Sequence, residues 1–202
     1  MILLNRELTL KNIEDLLFAK ETVSLDKEAI DRITRSYEFL KEFSKEKVIY
    51  GINTGFGPMS QFRVDDSNLK QLQLNLIRSH AAGTGEILTD LQVKAAMIAR
   101  LATFVQGCSG VHPSLPVLLA ECINRDILPV IPQHGSVGAS GDLVQLAHMA
   151  LALIGEGKVH YHGQTRDAAE VLKENNLEPM QIHIREGLAM TNGTSVMTGI
   201  GL

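Results

Sequence analysis

Two stretches of this 202-residue chain place reactive residue types in an order that could do chemistry. The first is Gly138-Ala139-Ser140-Gly141-Asp142, a serine hydroxyl set among glycines. It is not a nucleophile elbow, because GxSxG needs a closing glycine where Asp142 stands. It is not a phosphate cradle either: GxxxxGKS/T is absent, and Asp142 would set an anion where the phosphate belongs. Taken as bare residues, the pentapeptide is a glycine-rich turn in which Ser140 or Asp142 caps the next helix. The second stretch is Tyr50-Gly-Ile-Asn-Thr-Gly-Phe-Gly57, a tyrosine able to move protons at the head of a loop. Its plain alternative is a buried tyrosine at a strand end.

The histidines say less. His160 and His162 would share one face of a strand, a spacing compatible with metal, but no third ligand is suggested and an exposed hairpin face explains them better. His148 sits in an apolar run and reads as a hydrogen-bonded core histidine. Cys108 and Cys122 are too few for a disulfide framework, and no CxxC occurs.

Most of the chain has the spacing of helices. Ile13, Leu16 and Leu17 form one stripe behind a Thr9 cap, and Ile30, Ile33, Tyr37 and Leu40 form another. Val48-Ile49-Tyr50 reads as a short extended run before a loop holding three glycines and a proline in the eight residues 51–58. Helix signals return from Asp66-Ser67 to about Ala81. Thr89-Asp-Leu-Gln92 fits a capping box for a helix ending near Gly107, and Ser114 is placed to cap another reaching about Arg125. From Asp142 to Ile154 apolar residues lie on every side, the mark of a buried helix. Lys158 to Gln164 reads as a small hairpin, and 168–175 as a surface helix. The fold class is therefore mainly α with minor β, in a single domain spanning 1–202.

Composition narrows the partners. With 19 Lys+Arg against 23 Asp+Glu the net charge is -4, which disfavours nucleic acid. There is no Trp, and aromatics are 4% of residues, so base-stacking platforms are not expected. The charged N-terminus lacks a signal-peptide core, and the longest apolar stretch is too short for a bilayer, so a soluble cytoplasmic protein without a membrane partner is expected. Charge thins out after residue 100: between 101 and 155 only Glu121, Arg125, Asp126 and Asp142 are charged, which marks a buried centre.

Four segments together are more specific than any one. GASGDLVQLAHMALALIGEG, the Tyr50 loop, Asn75-Leu-Ile-Arg-Ser79-His80-Ala-Ala-Gly83 and Glu186-Gly-Leu-Ala-Met-Thr-Asn192-Gly193-Thr194 resemble, in order and spacing, the signature segments of the aromatic amino-acid ammonia-lyase and aminomutase family. The resemblance implies that Ala139, Ser140 and Gly141 cyclise into 4-methylidene-imidazol-5-one (MIO), an electrophile for the substrate's amine or ring, with no metal and no dissociable cofactor. Glycine lets its nitrogen approach the alanine carbonyl, and serine supplies a hydroxyl that can leave. Tyr50 then matches the base that removes the β-proton, and Asn192 a hydrogen-bonding partner of the cofactor. Gly57 and Leu143 match pocket positions. The free N–H groups opening the helix after Gly141 would stabilise negative charge developing on the ring.

His80 matches the position that reads the substrate ring. A polar ring there suits an imidazole or a phenol and disfavours a phenyl group. Ala81-Ala82-Gly83 points to L-histidine, eliminated to urocanate and ammonia; Phe56-Gly-Pro-Met59 and Leu143-Val-Gln145 look like tyrosine enzymes. A tyrosine ammonia-lyase, a tyrosine 2,3-aminomutase and a catalytically dead helical assembly module therefore stay open. The resemblance further implies a homotetramer and a fold with the MIO-bearing domain first. The family's C-terminal helical bundle is not found in these 202 residues, which are expected to be incomplete and inactive alone.

Overall fold

The computed structural model describes residues 1–137 and 141–202; Gly138, Ala139 and Ser140 lie outside the described residues. The architecture is mainly helical, as expected. Helices α1 (Leu10–Phe18), α2 (Lys27–Phe43), α3 (Leu69–His80), α4 (Asp90–Val105), α5 (Ser114–Asn124), α6 (Leu143–Leu153), α7 (Ala168–Glu174), α8 (Glu186–Thr191) and α9 (Ser195–Gly201) form the body. Capping explains several boundaries. Thr9 and Asn12 close a capping box on α1, and Thr89 and Gln92 another on α4.

Three small sheets pin the helices. β1 (Ile2–Leu4) pairs in parallel with β2 (Val23–Leu25), and β3 (Thr84–Ile87) runs antiparallel to β5 (Pro132–His134). β4 (Leu128–Pro129), β6 (Lys158–Tyr161) and β7 (Gln164–Asp167) make the third. The β6–β7 turn places His162 and Gly163 at φ +51 and +74, the two positive angles of a type I′ turn. His162 thus belongs to the turn and does not share a strand face with His160, whose Nδ1 lies 2.7 Å from the Asp90 carboxylate.

The core is continuous. Leu16, Ile33, Ile77, Leu101, Phe104, Leu119, Leu146 and Met149 are all buried in one cluster. α4 packs most extensively on α9, while α6 packs on α8 and α3. The all-round apolar pattern of α6 is matched by burial of seven of its side chains.

Two local expectations are corrected. Val48-Ile49-Tyr50 forms no strand: the Ile49 N–H donates to the Asn53 side chain at 2.7 Å, and the Asn53 amide donates to the Lys47 carbonyl at 2.6 Å, folding the run into a turn. Ser114 does not cap α5. Pro113 is the cap residue, and the Ser114 hydroxyl lies 2.8 Å from His112 Nδ1. No helix among the described residues is long and apolar enough to cross a membrane.

Candidate active site

The site is assembled by buried polar side chains that tie four segments together. Gln73, on α3, is fully buried. Its amide donates to the Gly51 carbonyl at 2.8 Å, and its Oε1 accepts from the Leu188 N–H at 2.9 Å. One side chain therefore fixes the loop after Tyr50 against α8. Both contacts need small neighbours: a side-chain carbon at Gly187 would lie 2.7 Å from the Gln73 carbonyl.

Tyr50 stands 53% exposed at the edge of this loop. Its hydroxyl accepts from the Gly57 N–H at 3.3 Å, and its ring meets Phe56 edge-on. Gly57 has φ +54 with open space where a side chain would start, so this position supplies backbone geometry and room.

Gly141, which follows Ser140 in the sequence, is held by the segment after α8. Gly141 pairs with Gly193 in a parallel bridge, and the Asp142 N–H donates to the Gly193 carbonyl at 2.8 Å. Gly141 has φ +95, and any side chain there would run into the Gly193 carbonyl. A glycine is thus demanded at 141 by sterics. Asn192, next to Gly193, is exposed, and its side chain makes no hydrogen bond among the described residues. Ala139 and Ser140 fall outside them.

Asp142 corrects the capping expectation. It precedes α6 without a side-chain cap bond; the Val144 N–H of that helix is taken by the Ser136 hydroxyl at 3.1 Å. The Asp142 carboxylate instead receives the Val196 and Met197 N–H groups, each at 2.9 Å, and so opens α9. Leu143 begins α6 half-buried, a packing position.

His80 ends α3, with Nδ1 2.9 Å from the Leu76 carbonyl. Nδ1 also lies 3.1 Å from the Ser79 hydroxyl. In the tautomer with its proton on Nδ1 the ring donates to the carbonyl, which can only accept, and Nε2 is an acceptor. The chain beyond it is tied to α6, because the Gly83 N–H donates to His148 Nε2 at 3.0 Å. Burial pushes the His148 pKa below its ordinary value, so the folded protein keeps this ring neutral. The unfolded chain takes up the proton near pH 6.5 and the folded chain only lower, so stability falls as pH drops through that window. His112, half-buried and stacked on His183, shifts the same way. The melting temperature should therefore decline between pH 7 and 5. His148→Gln, whose amide oxygen accepts at any pH, should flatten that decline; equal slopes in the two proteins would refute this role.

Three buried polar anchors have roles that escape sequence reasoning, although Glu186 stands at the head of a quoted segment. Gln73, Arg100 and Glu186 are buried polar residues whose partners lie 22 to 115 positions away for Gln73 and 74 for one oxygen of Glu186. The only signal available was a charge interrupting an apolar helix, as Arg100 does in Met97-Ile98-Ala99-Arg100-Leu101. Among the described residues no group of three metal-ligating side chains is gathered.

A mainly helical scaffold with these four segments joined is the arrangement of an aromatic amino acid lyase. The model of the family described as "Aromatic amino acid lyase" matches residues 8–202, and the chain belongs to that family. It is 46% identical over 193 residues to the tyrosine 2,3-aminomutase of Chondromyces crocatus, covering 95% of this chain and 36% of that protein. It is 45% identical over 196 residues to the histidine ammonia-lyase of Staphylococcus saprophyticus, covering 96% and 39%. Among solved structures, a tyrosine aminomutase from Streptomyces globisporus superposes with a TM-score of 0.90 at 39% identity, over 98% of this chain and 37% of that one. The chain thus spans between a third and two fifths of these proteins' lengths.

Proposed function

We propose that this chain is the MIO-bearing domain of an ammonia-lyase acting on L-histidine, releasing urocanate and ammonia. The observation that carries the proposal is the Gly141–Gly193 bridge, which sets the end of the Ala139-Ser140-Gly141 segment beside Asn192. Gly141 fits the cyclised group, since the position excludes any side chain. When formed, MIO supplies an electrophile that makes the amine a better leaving group.

The remaining work falls to this chain's own side chains. Tyr50 takes the β-proton; the Gly57 N–H at its oxygen suits a phenolate as well as a phenol. Asn192, exposed beside Gly193, offers its amide to the cyclised segment. Gln73 keeps the Tyr50 loop on α8, so that base and cofactor segment share one frame. His80 presents Nε2 as an acceptor for an imidazole N–H, and a phenyl substrate would leave that acceptor unpaired. The enzyme works in the cytoplasm as a homotetramer, without metal.

A second reading is tyrosine 2,3-aminomutase. It is favoured by the 46% identity to the Chondromyces crocatus enzyme and by a His80 acceptor that would serve a phenol equally. Product analysis of the whole protein as its own host makes it, not of these 202 residues alone, given L-histidine and L-tyrosine in parallel, decides between them. Urocanate is expected. β-Tyrosine would transfer the assignment to the aminomutase, and inertness toward both would remove the substrate assignment altogether.

A further inference from the structure

Arg100 lies in the middle of α4 with only 3% of its surface exposed. Burying a guanidinium costs several kcal/mol unless its donors are used. Here desolvation draws its pKa down to about 10, opposed by the Asp142 carboxylate, so it stays charged near neutrality. No carboxylate touches it among the described residues. Nη1 donates to the Ala189 carbonyl at 3.3 Å and Nη2 to the Asn192 carbonyl at 3.1 Å, both at the negative end of α8. Nε has no partner among the described residues.

For stability alone this is a poor arrangement, since an apolar side chain would suit the flanking Met97, Leu101 and Phe104. What the guanidinium accomplishes is local. It grips the peptide at 192–193 so closely that a side-chain carbon at Gly193 would lie 2.5 Å from Nη2. Gly193 in turn pairs with Gly141 and accepts from the Asp142 N–H. Arg100 is therefore two steps from the backbone nitrogen that must close the ring.

We infer that Arg100 is a positioning residue for ring closure: its fork holds the Asn192–Gly193 peptide as the template against which the Gly141 backbone is set. The inference rests on the reading of 139–141 proposed above. The bond formed joins the Gly141 nitrogen to the Ala139 carbonyl carbon. The first water carries off that carbonyl oxygen with the amide hydrogens of Gly141 and Ser140. The second carries off the Ser140 hydroxyl with its α-hydrogen, and no oxidant or reductant is needed. Such a closure is sensitive to placement, because neither reacting group is activated by charge.

The test follows maturation rather than turnover. Wild-type protein, Arg100→Gln and Arg100→Lys are expressed in the native host by pulse induction. The folded fraction is followed by intact mass and near-ultraviolet absorbance, with melting temperatures in parallel. Wild type should be lighter by two waters. Arg100→Gln should accumulate folded protein of unmodified mass, with ring closure slowed about tenfold or more, as expected when a reacting group loses its alignment. Arg100→Lys, which keeps the charge but not the two-pronged donor, should fall between. A purely structural residue would lower the melting temperature without slowing closure in molecules that do fold. Wild-type rates in both variants would overturn the inference, and so would failure of both to fold, which would assign Arg100 to core stability. Absence of the mass deficit in wild type would refute the underlying reading, and the inference with it.

Discussion

Ser140→Ala is expected to leave a folded protein that keeps the mass of its unmodified chain and has lost turnover entirely. Alanine has no β-hydroxyl to eliminate, so no methylidene carbon can form, and none of the remaining side chains offers an equivalent electrophile. Its partner is Tyr50→Phe, in which the two-water deficit should persist while kcat falls about 10²–10⁴-fold, the usual contribution of a general base. Folding should be spared. Among the described residues the Tyr50 hydroxyl holds one long hydrogen bond, to the Gly57 N–H at 3.3 Å, and the ring is half in solvent. The pair separates formation of the electrophile from its use. Retained turnover in Ser140→Ala would end the proposed chemistry. Failure of Tyr50→Phe to mature would make the tyrosine a maturation residue and place the base elsewhere.

The second large effect is on stability. Glu186 is fully buried at the start of α8, and its carboxylate receives four backbone N–H groups. Oε1 takes that of His112 at 2.9 Å; Oε2 takes those of His183, Ile184 and Arg185 at 2.8, 3.0 and 3.2 Å. Glu186→Gln conserves shape but must turn an NH2 toward at least one of those donors. The best orientation leaves the His112 N–H facing a second donor, and the other three lose a charged acceptor. Each charge-assisted bond is worth about 1.5–3 kcal/mol, so a loss of roughly 3–5 kcal/mol is expected. For a chain of this size that lowers the melting temperature by about 10 °C. A shift below 2 °C would mean that the amides are satisfied elsewhere.

How much of this was legible follows from the range of the interactions involved. Thr9 declares α1 as a cap and Thr89 declares α4 through a capping box written within four residues, and the even apolar pattern of α6 announces its burial. Gly163 likewise suits the turn that closes β6 and β7. Val48-Ile49-Tyr50 misled because its β-branched residues suit a strand, while the deciding contact is the Asn53 amide, a local competitor for the backbone. Asp142 misled for the opposite reason. A cap is sought on the helix that follows, yet its carboxylate caps the start of α9, more than fifty residues on. β1 and β2 pair over three residues each, too short for alternation to register. The motif residues themselves were visible by type; the frame of Gln73, Arg100 and Glu186 that positions them was not, since long-range partners leave no periodic trace.

The bridge between Gly141 and Gly193 also sets a clock. Asp142 is translated 54 residues before Val196, whose N–H its carboxylate must receive. At about 5–20 residues per second the reactive segment waits some seconds, without its template, while the rest of the chain is made. Pairings across such sequence separations form late, after nearby helices have condensed. On the proposed chemistry, the two dehydrations would be deferred until that closure is made, and a nascent or misfolded chain would keep an ordinary serine.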